Sequence, residues 1–218
     1  MKKEELFGLL DEMSLPDAIV DKLDASVWRF WQRKNHLDEE QTLRALQEYI
    51  TLRTQKKDTR FRENAYRLYG QLLRRNPGSE HGQFFVDCLG GETDKQILHT
   101  ILTYISSVRL PAEVRIGTIV TCSRSDQWLV RLEALQALQA FNTPESREAV
   151  RYWVRQEEEK KCKFELFYAN AALGFIGEVS DIALLERHTH SRIRDVRDTA
   201  VKAINNICQR FGIPSKIE

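Results

Sequence analysis

A chain of 218 residues, 42% hydrophobic and 30% charged, is long enough to bury a continuous apolar core without cross-links, and its recurrent Leu, Ile, Val and Phe exclude a disordered composition. Lys and Arg number 33 against 32 Asp and Glu, a formal net charge of +1, so no global field steers it to nucleic acid or anionic lipid. Cys88, Cys122, Cys162 and Cys208 stand far apart with no CxxC pair, which argues against a zinc site or a disulfide framework.

Only 10 Gly and 5 Pro are spread over the chain, and long segments contain neither, which favours helices over a many-turned β architecture. Leu6, Leu9 and Leu10 predict a short helix over 2–13, broken at Ser14-Leu15-Pro16-Asp17. The run Met1-Lys2-Lys3 is followed at once by Glu4 and Glu5, and no window approaches the roughly 20 apolar residues of a membrane span. A cytoplasmic location without a membrane partner is expected. Pro16 opens a second helix to about 33, with Ile19, Val20, Leu23, Val27, Phe30 and Trp31 in a stripe and Trp28 beside it. These tryptophans suit a cap over a first repeat or a partner surface.

Asp38 is a cap for a helix to about 53, and Asp58-Thr59 starts one over 59–75 with Phe61, Ala65, Leu68, Tyr69 and Leu72 inward. Asn76-Pro77-Gly78-Ser79 is the clearest stop and restart. A helix with Phe84, Phe85 and Leu89 ends at Gly90-Gly91, Asp94 begins another carrying Ile97 and Ile101, and Pro111 opens one with Val114, Ile119 and Val120. After Ser125-Asp126 comes the best-patterned stretch, Val130-Arg131-Leu132-Glu133-Ala134-Leu135-Gln136-Ala137-Leu138. Thr143-Pro144-Glu145 starts the next; helices over 164–176, 181–186 and 193–211 complete the chain.

The pattern repeats. Ala65, Thr100, Ala134, Ala169 and Ala200 are small residues spaced by 35, 34, 35 and 31 positions, each followed three and four places on by further packing residues. Two helices per unit at a period in the thirties mean a solenoid, whose repeats have no core until a neighbour covers them. The prediction is an all-α, right-handed α-α superhelix of about five helix pairs, with residues 1–36 as an N-terminal helical cap and 37–218 packed as one domain.

The segments Val130-Arg131-x-x-Ala134-x-x-Ala137-Leu138 and Val196-Arg197-x-x-Ala200-x-x-Ala203-Ile204 resemble HEAT repeats, in the short bacterial form also found in phycobilisome lyases. Ala169-x-x-Ala172-Leu173-Gly174-x-Ile176-Gly177 is similar to the second half of that motif, with Leu166 in place of its arginine. The resemblance implies that Arg62, Arg131 and Arg197, each three before an anchor, bond structurally to neighbouring repeats. Five repeat anchors without a catalytic constellation lead to the expectation of a non-enzymatic scaffold that binds a protein or peptide on its concave face. Two alternatives travel with the resemblance: a DNA-binding protein of the DNA glycosylase type, and a bilin lyase or chaperone.

Candidate binding residues follow from position. Arg67, Gln136 and Lys202 each stand two after an anchor, about 200° around the helix from it, where a polar stripe on the concave side or a plain solvated face accounts for them. Trp128, at the start of a helix, suits a groove mouth, and Trp153 suits core packing. The imidazoles of His188 and His190 lack a third ligand at a sensible spacing. Iron-binding HEAT-like enzymes use His-Glu pairs on several repeats, whereas this chain has only the reversed Glu80-His81. No Gly-rich phosphate loop, Gly-x-Ser-x-Gly elbow or Cys/His nucleophile arrangement occurs. No catalytic residue, metal ligand or cofactor is therefore assigned.

Overall fold

The computed structural model describes residues 2–14, 38–53 and 58–215; the helix expected over 16–33, with Trp28 and Trp31, lies outside the described residues. Within them every regular element is helical: α1 (Lys3–Met13), α2 (Glu39–Leu52), α3 (Thr59–Leu73), α4 (Ser79–Gly91), α5 (Lys95–Ser107), α6 (Gly117–Cys122), α7 (Trp128–Leu138), α8 (Pro144–Val154), α9 (Lys163–Ile176), α10 (Ile182–Glu186) and α11 (Arg194–Phe211).

Several starts are set by side chains that accept from the otherwise unbonded first N–H groups. Asp38 accepts from Gln41 N at 3.1 Å ahead of α2. Asp94 accepts from Gln96 N at 2.9 Å and Ile97 N at 3.2 Å ahead of α5. At α8, Thr143 and Ser146 form a reciprocal capping box with Pro144 in the first turn. Gly212 stops α11 in the left-handed region at φ 66°, which glycine reaches without steric cost.

The helices pack in two rows. The odd-numbered helices from α3 to α11 lie side by side, each against the next, and form the inner row. Helices α2, α4, α6, α8 and α10 back them, each against the odd-numbered helix that follows it. This is an α-α solenoid. Helix α1 packs on α2 and α3 and so extends the inner row beyond the repeats.

The anchors do what their size implies. Ala65, Ala134, Ala169 and Ala200 have no exposed surface, and Thr100 retains 6%. Small residues let neighbouring helices close up until side chains interlock. Glycine takes this further at two equivalent places, each five after its anchor. A Cβ on Gly70 would lie 2.3 Å from Tyr104 Cγ, and one on Gly174 would lie 3.0 Å from the backbone of Ala203. The buried side chains form one cluster that runs from Leu6 to Cys208.

The helix expected from Pro111 is corrected: α6 begins only at Gly117, and Pro111 to Val114 is a turn closed by Val114 N donating to Pro111 O at 3.2 Å. The cause lies in α4. The Gln83 side chain accepts from Arg115 N at 2.8 Å, and Val114 and Ile116 are buried while Arg115 between them is exposed. That alternation is the period of extended chain. Leu110 and Val114 close over Gly82, where a Cβ would meet Leu110 Cδ2 at 2.8 Å.

Candidate functional site: the inner row

What the repeats use internally can be separated from what they leave exposed. Arg62 Nε and Nη2 grip both oxygens of Glu92 at 2.7 and 3.0 Å, while Nη1 donates to Arg53 O at 2.8 Å. Arg131 Nε donates to Glu165 at 2.9 Å and Nη1 to Ser125 O at 2.8 Å. Each guanidinium thus ties its own entry turn to a carboxylate of the next repeat, and the planar fork suits both tasks. Arg197, on the last helix, donates to Ser191 O at 3.3 Å and lies 3.4 Å from Asp198. The backing row has its own bridge, Arg151 to Asp181 at 2.6 Å. Arg62 and Arg131 bond to the neighbouring repeat as the resemblance implies, whereas Arg197 bonds within its own repeat.

The predicted site residues all fall on the inner row. Arg67 is exposed on α3 and ion-paired to Glu63 at 2.7 Å one turn away. Gln136 is half-buried on α7, and Lys202 is exposed on α11. They do not make one continuous stripe, because at the same position α5 supplies the fully buried Leu102 and α9 the half-buried Ala171. Trp128, the first residue of α7, is 57% exposed and its ring centroid lies 6.2 Å from that of Phe164. Trp153 packs against the core and donates from Nε1 to Ser123 O at 2.9 Å.

Phe164 leads to a feature that position-by-position reading passed over. Helix α9 is largely apolar, its polar Glu165 and Asn170 both buried, yet Phe164 and Phe175 are 52% and 60% exposed. Helix geometry places Phe164, Ala171 and Phe175 within about 40° of one another, with Tyr168 on the flank. Its opposite face carries the anchor Ala169 with Leu166 and Leu173, all fully buried. The sign available in the sequence was an aromatic pair eleven residues apart on a helix whose packing motif occupies the other side.

Other reactive side chains are absorbed by the fold. His188 is buried, its Nδ1 3.0 Å from Asn170 Oδ1, while Asn170 Nδ2 donates to Val196 O at 3.3 Å. Burial holds its pKa below the usual histidine value. His81 Nε2 faces Glu40 at 2.8 Å and its Nδ1 lies 3.0 Å from the Tyr69 hydroxyl, a network that joins α2, α3 and α4. Burial pushes the thiol of Cys88 up to about 12 and that of Cys122 to about 11, so neither is a nucleophile at neutral pH. Among the described residues there is no cluster of His, Cys, Asp and Glu suited to a metal ion, and no helix long and apolar enough to cross a membrane.

No protein-family model matches the chain, and no curated protein matches its sequence. Solved structures do match. An engineered protein superposes with a TM-score of 0.51 at 16% identity, over 95% of this chain and 90% of its own. A designed armadillo repeat protein gives 0.53 at 14% identity, over 93% of this chain and 99% of its own. Another designed armadillo repeat protein, in complex with the peptide (KR)4, gives 0.54 at 14% identity with the same coverage. At such identities the likeness is one of fold, and it defines the class: an all-α helical-repeat protein.

Proposed function

We propose that this chain is a binding scaffold, without catalysis of its own, that holds a peptide or protein partner on its inner row. The observation that carries this reading is the exposure of Trp128, Phe164 and Phe175 together on the inner row, where Phe211 at the end of α11 is the other large apolar side chain left open among the described residues. An exposed apolar cluster with polar surroundings is the usual mark of a partner surface. Peptide binding by a designed protein of the same fold supports it in kind. Within this reading the repeats are of the HEAT type, residues 1–36 cap the stack formed by 37–218, Gln136 and Lys202 are polar neighbours of the cluster, and Arg67 is a polar contact farther along the row on α3. The inner row interleaves cations with Glu63, Glu133 and Asp195, a weaker match to a phosphate backbone than a continuous basic groove.

Selection of peptides from a random displayed library against the purified protein tests the reading. Selected sequences should lose binding to a Trp128→Ala/Phe164→Ala variant that keeps the parent's circular dichroism and melting temperature. A selection that yields no peptide sensitive to these substitutions would overturn it.

A further inference from the structure

The direction of the exposed apolar surface constrains the shape of its occupant. An extended peptide lying across the row would meet one patch on each successive helix. The inner face instead offers an ion pair on α3, the buried Leu102 on α5 and the polar Gln136 on α7. The most exposed aromatic surface of the row is Phe164 and Phe175 on α9, with Trp128 beside its first turn; Phe211, at the end of α11, is 48% exposed. Phe164 and Phe175 are eleven residues apart, roughly 16 Å along the helix axis at 1.5 Å per residue. The stripe therefore runs along a helix, with small Ala171 as a saddle between two aromatic ridges. Such a surface complements a second helix laid alongside, with apolar residues at i, i+4, i+7 and i+11.

The charges around the stripe set the sign of that helix. Glu133, 14% exposed, is turned to Thr103 at 3.3 Å and His99 at 3.4 Å. Asp198 is held by Arg194 at 3.3 Å and Arg197 at 3.4 Å. The cations face no carboxylate in the same way. Lys163 Nζ lies 4.7 Å from the Phe164 ring centroid, Arg210 Nη1 donates to the carbonyls of Gly174 and Phe175 at 2.9 and 2.7 Å, and Lys202 is exposed. Asp195 is the exposed carboxylate of α11 on this side, and exposed Glu157 and Glu158 stand in the turn ahead of α9, with Glu158 held by Lys161 at 2.7 Å. Arg210 also borders a hollow with Gly174, Phe175, Asn206 and Gln209 at the C-terminal end of α9. The apolar stripe thus has Lys163 at one end, Arg210 at the other and Lys202 on the α11 flank.

We propose that the partner element is an acidic amphipathic helix, seated along α9 between α7 and α11 with its apolar face on Phe164, Ala171 and Phe175 and its carboxylates toward Lys163, Lys202 and Arg210. The proposal rests on the scaffold reading and narrows its partner to one conformation and one charge.

The test uses the full chain and three labelled probes: a helical peptide of about five turns with Leu at the spacing above and Glu elsewhere, the same peptide with Lys for Glu, and (KR)4. Fluorescence anisotropy should register binding of the Leu-Glu peptide alone, with a gain of helical circular dichroism on mixing. A Phe164→Ala/Phe175→Ala variant should weaken it about 10-fold or more. Lys202→Glu should weaken it several-fold and admit the Leu-Lys peptide. Tighter binding of (KR)4 or of the Leu-Lys peptide would overturn the proposal, as would a Leu-Glu affinity indifferent to the α9 substitutions. If library-selected peptides bind through Trp128 and Phe164 while the Leu-Glu probe does not, the inference fails and the scaffold reading stands. A dimer in sedimentation that Ala171→Glu disperses would assign the stripe to a second copy and also overturn it.

Discussion

Arg131 shows how a single side chain couples two repeats, because its guanidinium satisfies a buried carboxylate that makes no other ion pair among the described residues. Glu165 is 4% exposed. Removing one partner of a buried pair strands the other charge, whereas removing both is far cheaper. Arg131→Met should therefore lower the unfolding free energy by about 3 kcal/mol in urea titrations, and the double change with Glu165→Met should recover most of it. A single variant as stable as the parent would show that the pair is not coupled. His188 makes a pH-dependent contribution at the same scale. Its folded pKa is depressed by burial from 6.5, so between the two values the unfolded chain binds more protons and stability falls as pH falls. Urea midpoints should decline from pH 7 toward pH 5, and His188→Gln, which keeps a hydrogen-bonding group near Asn170, should flatten that decline. An unchanged slope would sink the assignment.

At the level of elements, the start signals near helix termini were readable because capping is local. Asp94 sits within three residues of both groups it bonds. Asp94→Ala should cost about 1 kcal/mol, read as a lowered melting temperature, and Asp94→Asn should restore most of it; equal melts for parent and Ala variant would show that the cap is not rate- or stability-determining for α5. The Pro111 segment was misread for the complementary reason. Its sequence permits a helix, and the group that prevents one, the Gln83 amide, is 32 residues from Arg115. The arginines were legible as structural only through the motif they resemble, since Glu92 and Glu165 lie 30 and 34 residues away. Those separations fall close to the repeat period, which is where a pairing rule could have been found. The aromatic stripe is not legible because a largely apolar helix reads as buried, and only the neighbours of α9 reveal which side they leave open.

At the scale of the molecule, the two-row arrangement makes stability a chain of nearest-neighbour interfaces. Each inner helix touches the one before and the one after it, so damage should spread along the stack by proximity and fade with distance. The anchors allow this to be tested with one chemistry at two places. Ala134 is buried on α7, which packs on both α5 and α9 in the inner row, whereas Ala200 is buried on α11, whose inner-row neighbour is α9 alone among the described helices. A phenylalanine at either anchor overpacks its interface at a cost of about 1–3 kcal/mol. Hydrogen exchange should then separate the two variants. Ala134→Phe should raise exchange through α5, α7 and α9, while Ala200→Phe should raise it in α9 and α11 and leave α3 and α5 as protected as in the parent. Uniform acceleration in both variants would mean that the continuous core from Leu6 to Cys208 unfolds as a single cooperative unit. The nearest-neighbour outcome also bears on binding, because a partner seated on α9 would then protect α7, α9 and α11 and leave α3 unchanged.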